Sequence, residues 1–131
     1  MTEEPIRILP IDRIEPYAGP HEIPGIRFRP AARSLGVTAW GMNVIEIDAG
    51  CADYPEHDHQ EDGQEEVYFV LRGDGSLIVG EERQAVETGS LVRVAPDVRR
   101  KFVPGSDGIS LLAIGATPGK AYTSPWPDET A

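Results

Sequence analysis

The chain has 131 residues, 40% of them hydrophobic and 26% charged, the balance of one folded domain rather than a disordered chain. Twelve Lys and Arg against 22 Asp and Glu leave a formal net charge of −10, a field that repels nucleic acid and anionic membranes. No apolar run approaches the ~20 residues of a membrane helix, the acidic, Pro-broken start is not a secretory leader, and the lone Cys51 rules out an internal disulfide. A cytoplasmic protein without nucleic-acid or membrane partners is therefore expected.

Residues 1–36 carry Pro5, Pro10, Pro16, Pro20, Pro24 and Pro30. Proline fixes φ and removes a donor, so this stretch reads as an extended arm packing on a β-body, with Ile6, Ile8 and Ile11 as its contacts. Ala31 to Leu35 have the composition of one helical turn. From 37 to 115 short β-rich runs alternate with turn residues, predicting strands at 37–47, 66–72, 75–79, 84–86, 90–94, 100–103 and 109–114. Glycines punctuate them at 73–75, 80–82, 88–89 and 104–108. No segment holds a helical period over about 11 residues. Strands of this length and spacing form a sandwich or barrel. Residues 116–131, with Pro118, Pro125 and Pro127, read as a Pro-rich tail that Trp126 anchors.

Chemistry concentrates between Gly50 and Glu66. His57 and His59 are two apart, so on an extended chain both imidazoles face the same way. Glu66 opens the next predicted strand, and an antiparallel return brings its carboxylate beside them. Two imidazoles and one carboxylate suit a divalent metal and leave positions open for a ligand; iron, manganese, nickel and zinc all accept such donors. The same acidic, hydrated loop can equally stand in solvent with its histidines idle.

The flanking pattern resembles the cupin superfamily. Its first motif is a glycine, about five residues, His-x-His, three or four residues, a glutamate, six residues and a glycine. Here Gly50, His57, His59, Glu66 and Gly73 follow that order, and EEVYFVLRG at 65–73 is similar to the family's strand after its histidines. The first gap is one residue longer, and Gln60 to Gly63 widen the second, with Gly63 supplying the turn. Glu65 has the wrong parity to replace Glu66. In the second motif, Gly89 to Arg100 keeps the family's rhythm, but Asp97 replaces a glycine and Arg100 stands where a fourth metal-binding histidine would be. Arginine has no lone pair to give. Arg100 therefore pairs with Glu66, anchors an acidic ligand, or points outward; strand parity groups it with Phe102.

The resemblance implies an all-β, single-domain jelly-roll β-barrel with a central pocket and a homodimeric assembly. Tyr68, which shares parity with Glu66, and Trp40 and Met42, which alternate about Gly41, are candidates to line that pocket with Arg100. Cys51 is expected as a buried small residue and His21 as exposed at the barrel mouth. Two function classes follow. In one, a divalent metal on His57, His59 and Glu66 serves an oxygenase, isomerase or cyclase acting on a small organic acid or phenolic compound. In the other, a metal-free, non-catalytic barrel binds a small molecule with its site closed by an Arg100–Glu66 ion pair. A metal-free sugar isomerase with a histidine base is a third reading.

Overall fold

The computed structural model describes residues 5–124; Trp126 lies outside them. A 3-10 turn at Ile11–Arg13 precedes β1 (Ile26–Arg29), α1 (Ala31–Leu35), β2 (Gly41–Ile47), β3 (Glu65–Val79), β4 (Glu82–Glu87), β5 (Leu91–Val94) and β6 (Lys101–Ala116). Apart from the one-turn α1, which Gly36 ends in the left-handed conformation at φ 82°, the fold is all-β as expected. No helix among the described residues is long and apolar enough to cross a membrane.

All strand pairs are antiparallel, in the order β1-β2-β6-β3-β4, with β5 beside the first half of β3. The path is not closed by hydrogen bonds between its two edges. Closure is by packing instead. Leu77, Val86 and Phe102, from the half built on β4 and the start of β6, share one cluster with Ile45, Val70 and Leu111 from the other half. The two halves thus lie face to face across one core, as in a jelly roll. Each large side chain fully buried there contributes roughly 1.5–3 kcal/mol.

Two differences from the predicted strands have a common cause. The runs at 66–72 and 75–79 are one strand, as are those at 100–103 and 109–114. The presumed turns at 73–75 and 104–108 lie opposite each other: Gly73 pairs with Ile109, Gly75 with Pro104, and the intervening residues bulge out. Gly73 sits at φ 79°, where a Cβ would come within 2.2 Å of the Gly108 carbonyl oxygen. The glycines there let two strands pass through a shared irregularity rather than end.

The arm contributes a strand, β1, that the prolines obscured. Its alternation puts Ile26 and Phe28 against the core while Arg27 and Arg29 meet Glu46 on β2. Ile6, Ile8 and Ile11 do not pack inward; they are 74%, 85% and 39% exposed. Leu9 and Ile14 do that work, covering Met42, Val44, Leu71 and Leu112 on the outer face of the sheet together with Ala31.

Candidate metal centre

The two histidines sit on the loop between β2 and β3, and the main chain fixes their positions. His57 and Arg100 exchange both backbone hydrogen bonds, at 3.0 and 2.9 Å, and the His59 N–H donates to the Pro96 carbonyl at 2.8 Å. Gly63, at φ 69°, returns the chain toward β3 with its N–H on the His59 carbonyl. The widened loop closes on itself, so the longer gap does not separate the ligands. On β3, Glu66, Tyr68 and Val70 face inward; Glu65 faces outward and pairs with Arg93 at 2.8 Å.

The result is a cluster in which one donor atom from each of His57, His59 and Glu66 lies within 4.8 Å of the others. The ring orientation is set from behind. His57 Nδ1 lies 3.0 Å from the Pro55 carbonyl oxygen, and His59 Nδ1 lies 3.1 Å from Asp62 Oδ1. Each acceptor holds the proton on Nδ1, which leaves Nε2 as the lone-pair nitrogen. Both Nε2 atoms are turned to Glu66: His57 Nε2 is 3.9 Å from Oε1 and His59 Nε2 is 3.4 Å from Oε2. The rings stand nearly perpendicular, 5.2 Å between centroids. This donor set fits a divalent cation: two neutral imidazole nitrogens and one carboxylate oxygen converging from different directions.

Glu66 is the electrostatic centre. Burial alone would push its carboxyl up, but the neighbouring His57 and His59 rings and the hydrogen bond from the Tyr68 hydroxyl outweigh that and hold it well below the usual carboxylate range. In turn, the Glu66 carboxylate favours the protonated ring and raises the His59 pKa above its ordinary value, against the opposing effect of burial. A cation and that imidazolium proton therefore compete for the same place. Burial raises the Tyr54 hydroxyl to about 12, and raises that of Tyr68 further, so both rings stay neutral donors.

Arg100 is fully buried, at 0% exposure, on the same face as Phe102. All three guanidinium nitrogens are engaged. Nη2 donates to Glu66 Oε1, Nε to the Tyr68 hydroxyl at 3.4 Å and Nη1 to the Val98 carbonyl at 2.8 Å. The ion pair with Glu66 is thus the arrangement the structure contains, and the guanidinium does not line the cavity as a ligand anchor. The Tyr68 hydroxyl also donates to Glu66 Oε1. Arg100 and Tyr68 occupy Oε1, while Oε2 remains directed at His59.

A cavity of about 310 Å³ opens over this group, bounded by Asn43, Tyr54, Gln64, Tyr68 and Tyr122. Tyr68 is on its wall. Trp40 and Met42 are not. On β2 it is Gly41, Asn43 and Ile45 that face inward; Met42 joins the outer cluster under the arm, and Trp40 is 41% exposed. The parity was misread because both faces of β2 are covered, so its sequence lacks an apolar–polar alternation. Gly41 is needed beside Tyr122, whose hydroxyl would lie 2.8 Å from a Cβ there. Sequence reasoning also passed over Asp62, although an acid three residues after His59 was a readable sign of an orienting partner. Cys51 is half-buried against the arm, and His21 is exposed and stacked on Tyr17.

Comparison with known proteins places the fold. A family model described as a cupin domain matches residues 43–115. An uncharacterized protein of Streptomyces coelicolor is 35% identical over 77 residues, 59% of this chain and 70% of that protein. Among solved structures, a cupin protein from Bacteroides fragilis has 24% identity and a TM-score of 0.62, covering 85% of this chain and 92% of that one. A sugar phosphate isomerase of the cupin superfamily from Silicibacter pomeroyi has 20% identity and a TM-score of 0.70, with coverage of 86% and 77%. A predicted oxalate decarboxylase from Thermotoga maritima has 14% identity and a TM-score of 0.67, with coverage of 85% and 99%. Identities this low establish a shared fold. With the family model spanning more than half of its length, the chain belongs to the cupin superfamily.

Proposed function

We propose that this cupin binds a divalent metal through His57 Nε2, His59 Nε2 and Glu66, and that the metal serves an isomerase-, oxygenase- or cyclase-type reaction on a small organic acid or phenolic compound in the cavity above it. The observation that carries the reading is the pair of Nδ1 contacts, to the Pro55 carbonyl and to Asp62, which turn both Nε2 lone pairs onto one carboxylate. A histidine idle in solvent has no such support from behind.

When bound, the cation supplies Lewis acidity toward an oxygen of the substrate. The chain's own residues do the rest. Asp62 and the Pro55 carbonyl hold the imidazoles in one tautomer and orientation. Glu66 stays ionised. Arg100 and Tyr68 hold its Oε1, so the carboxylate presents Oε2 to the cavity. Tyr54, kept protonated by burial, is a fixed hydroxyl on the wall.

Metal analysis of protein purified without chelator tests the reading. Up to one equivalent is expected in the wild type, with loss in the His57→Ala/His59→Ala double variant. Equal metal in the two proteins ends the proposal. A second reading, the metal-free binding barrel, is favoured by one observation: the buried Arg100–Glu66 pair already neutralises the carboxylate. It predicts a wild type that neither carries nor takes up metal.

A further inference from the structure

The cavity over the histidines is half of a larger arrangement. Phe28, Ile45, Tyr54 and His57 also line a second, adjoining hollow of about 410 Å³. Its roof is the arm, through Tyr17 and Ile23. The arm is fastened at several points. The Tyr17 N–H donates to the Phe28 carbonyl at 2.7 Å, and the Asp48 N–H donates to the Gly25 carbonyl at 2.8 Å. Gly25, at φ 88°, lets the chain approach Cys51 so closely that a Cβ would lie 3.0 Å from Sγ. Gly19 likewise makes room for the Tyr17 ring, whose hydroxyl would lie 2.6 Å from a Cβ. This is a built wall rather than a loose strap.

The two halves differ in chemistry. Around the first are imidazoles, amides and hydroxyls. Ile23, Ile26, Phe28, Ile45 and Pro55 make the second mostly apolar, with His21 and Glu22 at its roof and His57 where it meets the first. Among the described residues lining either hollow there is no Lys or Arg. Arg100, the nearest guanidinium behind Glu66, has no exposed surface. The carboxylates present are Glu66 and, at the roof, Glu22. Apart from the metal end and the imidazoles of His21, His57 and His59, a phosphate dianion here would lose water without meeting a guanidinium or ammonium.

We infer that the ligand is a compact, largely apolar molecule carrying at most one negative charge, its oxygen-bearing end at His57, His59 and Glu66 and its body filling the hollow roofed by Tyr17 and Ile23. The inference deepens the proposed function and shares its metal only at the oxygen-bearing end. It makes the arm the determinant of specificity and excludes phosphorylated sugars as substrates of this site.

The test separates the two ends. In protein treated with EDTA, p-cresol is titrated while the methyl resonances of Ile23, Ile26 and Ile45 are followed by NMR. Saturable shifts at these methyls are expected, and their absence overturns the inference whatever the metal content. In zinc-loaded protein, benzohydroxamate and acetohydroxamate offer the same chelating head with and without an apolar body. Benzohydroxamate is expected to bind about tenfold tighter or more, and glucose 6-phosphate more weakly than either. Ile23→Asp should reduce the difference between the hydroxamates to less than about threefold, with zinc content and acetohydroxamate affinity unchanged. Equal affinity of the two hydroxamates for zinc-loaded wild type, or tighter binding of the sugar phosphate, overturns the inference. Saturable p-cresol binding by a protein that retains no zinc supports the inference and overturns the metal alone.

Discussion

Arg100 decides how strongly the centre can hold a cation. A permanent positive charge bonded to the ligand carboxylate draws electron density from it and repels a second cation. Replacing it with a histidine removes the charge and adds a lone pair at a position whose backbone is already fixed opposite His57. Arg100→His should therefore raise divalent-metal affinity by about tenfold or more, worth ~1.4 kcal/mol. Isothermal titration with zinc reads this directly, and an unchanged dissociation constant would show that the Arg100 charge is not what limits the site. His57, His59, Glu66 and Tyr68 were legible from spacing and parity, because the resemblance anchored the register of β3. What Arg100 does was not legible. Three geometries were open to it, and only the burial of its head group against Glu66, Tyr68 and Val98 separates them.

Among the strands, β1 is held to β2 by charge as well as by ladder bonds. Glu46 Oε1 accepts from Arg27 Nε at 2.8 Å and from Arg29 Nε at 3.0 Å. Burial pushes the Glu46 carboxyl up, but the two arginines outweigh it, and the net shift is below the ordinary value of 4.5. A lowered folded-state pKa stabilises the fold above the unfolded-state value, and that stability is lost as pH falls through the folded-state value. Glu46→Gln should therefore cost about 1–2 kcal/mol near neutral pH, and the difference from wild type should shrink as pH drops below 4.5. Urea denaturation at several pH values measures it; a difference that does not change with pH would mean that the arginines do not act through the charge. The bulge of β3 against β6 makes a separate demand. Gly73→Ala puts a Cβ against the Gly108 carbonyl at positive φ and should destabilise by more than about 2 kcal/mol. An unaltered denaturation midpoint would show that the crossing tolerates a side chain. These elements also explain why strand ends were harder to read than strands. Gly73 to Gly75 and Pro104 to Gly108 have the composition of hairpin turns, and only their mutual pairing reveals that they are bulges. Ile26 to Arg29 alternate cleanly, but the prolines on either side disguised them.

For the molecule as a whole, the all-β barrel was legible because strand-length runs and glycine turns repeat along 37–115, while the coverage of both sheet faces was not. The outer face under the arm is closed by Leu9, Ile14 and Ala31, but the side toward β5 is open. There Leu91 is 74% and Val67 is 38% exposed, both on the outward parity of their strands. If the homodimer that the resemblance implies forms, these two exposed apolar side chains are where a second copy would gain most. Sedimentation at micromolar concentration should give twice the chain mass, and a Val67→Glu/Leu91→Glu variant should give the monomer. A double variant that sediments as the wild type does would move the interface elsewhere.

The bridge between residues 57 and 100 has a consequence for substitution. It is made entirely by main-chain atoms, so it survives any non-proline side chain at position 100. Arginine can be exchanged for histidine there without rebuilding the main-chain scaffold that holds His57 in place. In this chain a fourth donor is thus one substitution away, its backbone already in place.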